Sequence, residues 1–306
     1  MPLFENHVGV SLSLDKIRLV ELVYSDNEFI LENVDEEVFG ERLVVSSILE
    51  NFYNILQNSF KEILSRNTLK SKNISFSLDP EFFINFEIPF DNTLLKKDLA
   101  EHIKWEFKKL HPELNPDDYL IQNIELKKGE ELISNVAAVL CLNKKIVSAL
   151  QKLSQTYKLN LRFVDYSHTS SDVLLRFKKS LKGLSGLSIY KSNNSFSLSI
   201  LDDFKPIAML KKRIQKNQLP MNVIKHTLNN LVGKRSGLSN FLYAYITGVN
   251  IHEDEIDRMN ELFGLKFKLL NPFSDVTIGK NAQSKVELID NPTEYSSAVG
   301  IALRLF

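Results

Sequence analysis

The chain has 306 residues, enough for one large domain or two medium ones with their own cores. Its 38 basic residues balance 38 acidic ones, so no net positive field exists to hold a nucleic-acid backbone. A single cysteine, Cys141, rules out an intrachain disulfide framework and fits a cytosolic compartment.

Val8, Val10 and Leu12 alternate with small or polar residues, and Ile17 to Leu22 resumes after the turn at Leu14-Asp15-Lys16. This predicts a β-hairpin at the edge of a mixed sheet. Ser47, with Glu50 three residues on, predicts a capping box for an amphipathic helix that ends near Arg66. Asn73 to Leu78 alternates like a strand. Phe82 to Ile88 predicts another, stopped by Pro89, and Leu95, Leu99, Ile103, Phe107 and Leu110 then share one helix face. Tyr119 to Leu126 is a strand, Lys127 to Glu130 a turn, and the apolar run Val136 to Leu142 a doubly buried central strand. Cys141 in that run reads as a small buried hydrophobe. Strand, helix, strand, strand over 80–141 predicts a compact α+β insertion.

Asn143 reads as the cap of the next helix, and Asn160 to Val164 as a strand leading to Asp165. Thr169 with Asp172 predicts a second capping box. After Gly183-Leu184-Ser185-Gly186 the hairpin-led order begins again, with strands at Leu187–Tyr190, Ser195–Leu201 and Pro206–Leu210, which predicts an internal pseudo-repeat. The basic run Lys211 to Lys216 reads as a solvated charge run, with docking to an acidic lipid or partner as the alternative. Pro220 opens a helix that carries Val223, Ile224, Leu228 and Leu231. Phe241 to Thr247 is a core strand, turned by Gly248-Val249-Asn250. A helix from Glu253 closes at Gly264, Leu265 to Leu270 is a strand, and Asn291-Pro292 precedes a final helix.

Motifs for chemistry are missing. None of the six histidines pairs with cysteine or clustered carboxylates at metal-ligand spacing. No P-loop, dinucleotide fingerprint or nucleophile elbow occurs, so neither a metal site nor a catalytic residue is expected. No apolar run approaches the roughly 20 residues of a membrane span, and no leader pattern opens the chain.

Gly9 to Leu22, GVSLSLDKIRLVEL, resembles the opening strand-turn-strand of actin-like ATPases, GVDIGSSSIKLVEL in the PilM family of type IV pilus assembly. Glu101 to Glu106 (EHIKWE), with Pro112 and Tyr119 after it, resembles that family's IKWE helix. Phe163-Val164-Asp165, Asn271-Pro272-Phe273 and the ending from Asn291 to Phe306 also resemble family stretches, in the same order. The resemblance implies an α/β, actin-like (ribonuclease H-like) duplicated fold of two lobes. Lobe one would cover 1–180, with the insertion at 80–141 and the closing helix at 291–306; lobe two would cover 181–290.

The resemblance also implies a nucleotide cleft, and here the chain departs from the family. Ser11 stands where the family has its phosphate-site aspartate, Ser13 replaces the turn glycine, and Leu14 replaces a small turn residue. Asp15, one or two positions late, is the acid that remains. The second phosphate loop, VDIG in the family, is Leu187-Ser188-Ile189-Tyr190, and the adenosine-side SGG is Thr247-Gly248-Val249. Three separate elements have changed while strand and helix patterns persist. The expectation is a pseudo-ATPase without cofactor, with ATP and magnesium as the alternative. The family likeness further implies a groove between insertion and first lobe for the N-terminal cytoplasmic peptide of a PilN-like inner-membrane partner in a pilus or secretion machine. Phe82, Phe86, Trp105 and Phe107 are its candidate lining, although Trp105 reads more readily as core. The expected role is a non-catalytic scaffold, cytoplasmic and held at the inner membrane through that partner. The alternatives are a weakly active ATPase of the same machinery, or a divergent cell-division or filament protein, which leaves self-association open.

Overall fold

The computed structural model describes residues 5–44, 48–90, 93–126, 135–214, 223–227 and 241–304. Ser47, the turn at 127–130, Gln215, Lys216, Pro220, Leu228, Leu231 and Leu305 lie outside the described residues.

The first sheet is built around β1 (His7–Leu12), which is buried at every position. Its even residues Val8, Val10 and Leu12 join the core formed with Phe52, Leu56, Phe60 and Ile63 of helix α1 (Ile48–Arg66). That spacing of four, four and three is one helix face, and each such side chain removed from water contributes about 2 kcal/mol before entropy is counted. On the opposite face Gly9 lies against the closing helix (Ser296–Ala302), where an added Cβ would fall 2.0 Å from the Ala298 carbonyl oxygen. β2 (Lys16–Ser25) and β3 (Glu28–Val38) continue antiparallel, while β4 (Asn73–Leu78) and β8 (Asn160–Tyr166) add parallel on the other side. With the short β14 (Thr277–Ile278) the order is β14-β3-β2-β1-β4-β8.

The hairpin is therefore not at an edge, because β1 lies between β2 and β4. The reason lies in β3, whose acids mask its apolar alternation in sequence. Those acids are matched in space: Asp35 meets Arg66 at 3.0 Å and Lys285 at 3.0 Å, and Glu36 meets Lys16 at 2.9 Å.

The second sheet repeats this plan. β9 (Ser185–Lys191), β10 (Ser195–Asp202) and β11 (Lys205–Arg213) are antiparallel; β12 (Tyr243–Gly248) and β13 (Phe267–Leu269) add parallel to β9. The order β11-β10-β9-β12-β13 matches β3-β2-β1-β4-β8, which is a duplicated topology. A third sheet, β5 (Phe83–Phe90), β7 (Asn135–Asn143) and β6 (Tyr119–Leu126), carries helix α2 (Lys96–Leu110), with β7 in the middle as its apolar run requires. Helix α3 (Lys144–Thr156) follows, capped by the Asn143 carboxamide, which accepts from the Lys145 amide at 2.9 Å.

Several expectations change. Thr169 and Asp172 form no capping box: α4 (Ser167–Asp172) begins earlier, and the Thr169 hydroxyl donates back to the Tyr166 carbonyl at 2.8 Å. Phe82 belongs to a 3-10 turn (Pro80–Phe82), not to β5. Lys211 is not a solvated charge; it is half-buried in β11. The strand at 265–270 shrinks to β13. Gly264 does end helix Glu253–Phe263, at φ 63°. Cys141 is buried, and burial pushes its thiol up to about 12.

Candidate functional site

Equivalent turns of the two repeats face each other across the molecule. In the first, between β1 and β2, the Ser13 amide donates to the Lys16 carbonyl at 3.0 Å and the Ser13 hydroxyl to Asp15 Oδ1 at 2.6 Å. In the second, between β9 and β10, the Ser192 amide donates to the Ser195 carbonyl at 2.8 Å. A phosphate cradle needs such amides pointing outward and free. Here the Ser13 and Ser192 amides are spent inside their own turns.

The turns also bond across the gap. Asn193 Nδ2 donates to Asp15 Oδ2 at 3.0 Å. Glu81 Oε1, from the turn after β4, accepts the Ser192 hydroxyl at 2.6 Å and the Ser195 hydroxyl at 2.9 Å. The Tyr190 hydroxyl donates to Asp79 Oδ1 at 2.6 Å, and both residues are buried. Desolvation, reinforced by the nearby Glu81 charge, pushes Asp79 up to about 7. Deeper, Arg18 pairs with Glu294 and with Glu36. Protein side chains thus bridge the gap between the two sheets' hairpins with hydrogen bonds of their own.

A groove opens elsewhere, between the third sheet and the first. It has a volume of about 650 Å³. Its walls are Phe83, Leu120, Gln122 and Leu142 from the third sheet, Val147 and Gln151 from α3, and the whole run Asn160–Asp165 of β8. β8 ends the strand order of its sheet, so its outer backbone edge is unpaired among the described residues. An apolar floor with amide side chains at the rim and a free strand edge suits an extended peptide.

No family model and no curated protein matches the sequence. Among solved structures, the chain is similar to the PilM-PilN type IV pilus biogenesis complex, with TM-score 0.71 and 16% identity over 98% of each chain. It is also similar to a Bacteroides thetaiotaomicron protein with an actin-like ATPase fold and unknown function, with TM-score 0.50 and 14% identity over 94% of this chain and 99% of that one. The fold is the actin-like one.

In this actin-like frame each expected residue can be placed. Ser11 is buried, and its hydroxyl makes no hydrogen bond among the described residues. Ser13 and Asp15 are tied up as described, and Leu14 is core. Ser188 donates to Asp172 at 2.5 Å and lies 3.1 Å from His168 Nε2. Ser188 and His168 are buried, and burial drives His168 down to about 3, so the imidazole is neutral. Gly248, at φ 114°, brings its backbone so close to β9 that a Cβ would lie 1.9 Å from the Lys191 carbonyl oxygen. The Val249 amide donates to that same oxygen at 2.9 Å. The glycine therefore serves strand contact. No group of three or more metal-ligating side chains occurs among the described residues, and none of the described helices is long and apolar enough to cross a membrane.

The four aromatic groove candidates do not line the groove. Phe82 is buried beside Phe52, Phe107 is the core of the third sheet with Phe86 against it, and Trp105 is 58% exposed, stacked on His102. Phe83, one residue after Phe82, is the aromatic that does. Sequence reading also missed Asp79, Glu81 and Asn193. Asp79-Pro80 directly after a strand was the only local signal, and it named no partner.

Proposed function

We propose that this chain is a non-catalytic actin-like scaffold of a type IV pilus or type II secretion-like assembly. It grips the cytoplasmic N-terminal peptide of a PilN-like inner-membrane protein in the groove beside β8, and is held at the membrane through that partner. The observation that carries this reading is the self-bonded cleft, with Tyr190, Asn193 and Glu81 where phosphates and magnesium would need free amides and acids. The similarity to the PilM-PilN complex supports the choice of machine. β8 offers seven residues, about 23 Å of strand edge, to an added strand. A weakly active ATPase remains the second reading because Asp15 is present in the first turn; it requires the Asp15–Asn193 bond to break.

Titration with synthetic N-terminal peptides of the inner-membrane proteins encoded beside this chain tests the proposal. One peptide is expected to bind with a Kd in the micromolar range, about −8 kcal/mol. Leu120→Asp, at a 47% exposed groove position, is expected to weaken it at least about tenfold. Leu242→Asp, exposed on the second repeat, should leave it unchanged. Saturable binding indifferent to Leu120→Asp, or none at all, contradicts the proposal.

A further inference from the structure

Lys211 belongs to a basic run that the cleft and groove leave unexplained. Its stem lies in β11 of the second repeat, while its ammonium reaches the entry to the third sheet. Nζ donates to the Phe83 carbonyl at 2.9 Å and also to the Pro80 carbonyl. These two carbonyls bracket the 3-10 turn Pro80–Phe82. Its neighbours Lys212 and Arg213 are exposed, so of these three Lys211 alone turns inward. Burial lowers its pKa to about 8, opposed by the Glu81 charge, so the ammonium is held there against a desolvation cost. Glu81, in the middle of the same turn, accepts from Ser192 and Ser195 of the β9–β10 turn. The second repeat thus grips this short turn through two independent sets of bonds.

The turn leads straight into the groove wall. Phe83 lines the groove and packs edge-on against Tyr166 at 5.1 Å, and Tyr166 ends β8, the opposite wall. We infer that Lys211 is a positioning residue of the groove: it fixes the first residue of β5 to the second repeat, so groove width and the seating of the two repeats on each other move together. A ligand that needs this width then favours the seated arrangement, and the seated arrangement favours the ligand by the same factor. The ligand half of this inference rests on the peptide reading above; the positioning half does not.

Hydrogen exchange on the full chain decides the positioning half. In Lys211→Met, which keeps the stem and removes the donors, amides of Phe83–Ile88 and Leu161–Asp165 should exchange at least about fivefold faster, with α1 unchanged. Lys211→Arg should recover most of the protection, since it restores a cationic donor pair. Unchanged exchange at Phe83–Ile88, or faster exchange everywhere including α1, overturns the inference. Against the peptide that the wild type binds, Lys211→Met is expected to weaken affinity about tenfold, chiefly through faster release. Equal affinity in both proteins also overturns it. A wild type that binds no peptide sinks the peptide reading alone, and the exchange data still judge Lys211.

Discussion

Gly300→Val is expected to destabilise the chain by at least about 3 kcal/mol, read as a lowered urea midpoint and melting temperature. Gly300 lies in the closing helix, whose residues are all buried. A Cβ there would sit 1.9 Å from the Ser170 carbonyl oxygen and 2.7 Å from its carbon. These are backbone atoms of α4 and cannot rotate aside. On the other side of the same helix, Gly9 approaches the Ala298 carbonyl just as closely. The helix is pressed between β1 and α4 with no room for a side chain at either contact. It also ties the repeats together at its start, where the Ser296 hydroxyl donates to the Leu270 carbonyl at 2.8 Å and Thr247 Oγ1 to the Thr293 carbonyl at 3.0 Å. Gly40→Ala is the control, because its Cβ would meet nothing within 4 Å. A Gly300→Val protein melting within about 2 °C of wild type would contradict this packing.

The second large effect is a stability that falls as pH rises from about 4 to about 7. Asp79 faces Glu81 from its own turn, Arg18 from β2 and Tyr190 from β9. Burial and Glu81 raise its carboxyl to about 7, outweighing the Tyr190 hydrogen bond and Arg18. The folded chain therefore keeps a proton that the unfolded chain releases near pH 4. The resulting stabilisation is full below the unfolded pKa and is lost as pH climbs through about 7, a change on the order of 4 kcal/mol. Asp172, also raised to about 7 by burial, adds a slope of the same sign. Asp79→Asn cannot titrate, yet its Oδ1 still accepts the Tyr190 hydroxyl. Denaturant unfolding should show a shallower slope between about pH 4 and 7 for this variant, and a variant more stable than wild type above about pH 7. Identical slopes would mean that Asp79 is ionised in the folded chain.

Much of the architecture could be read from local pattern. The face of α1, the Leu99, Ile103 and Phe107 part of the α2 face (Leu95 and Leu110 of the expected face are exposed), the apolar run of β7, the Asn143 cap and the Gly264 stop are each set by residues within a turn or two of one another. The paired hairpins, Gly9 onward and Leu187 onward, also announced themselves by alternation. What failed was long-range. β3 was invisible because Glu32, Asp35, Glu36 and Glu37 read as solvent, whereas Lys16, Arg18, Arg66, Lys70 and Lys285, distant in sequence, pair with them in the fold. The departures from the family pattern at Ser11, Ser13, Ser188 and Tyr190 were legible, but not the bonds that the two turns make with each other. Asp79, Glu81 and Asn193 act through partners more than 100 positions away. The family resemblance implied a groove with Phe82, Phe86, Trp105 and Phe107 as candidate lining; the groove beside β8 is instead walled by an edge strand, and edge status is a property of the assembled sheet.

Titration calorimetry of the full chain with ATP and magnesium bears most directly on the proposal that side chains bridging the two hairpins leave no nucleotide site between them. The account predicts no saturable heat at millimolar nucleotide. Stoichiometric binding with a Kd below about 100 μM would contradict it, because the Asn193–Asp15 and Tyr190–Asp79 bonds would then have to yield to a ligand.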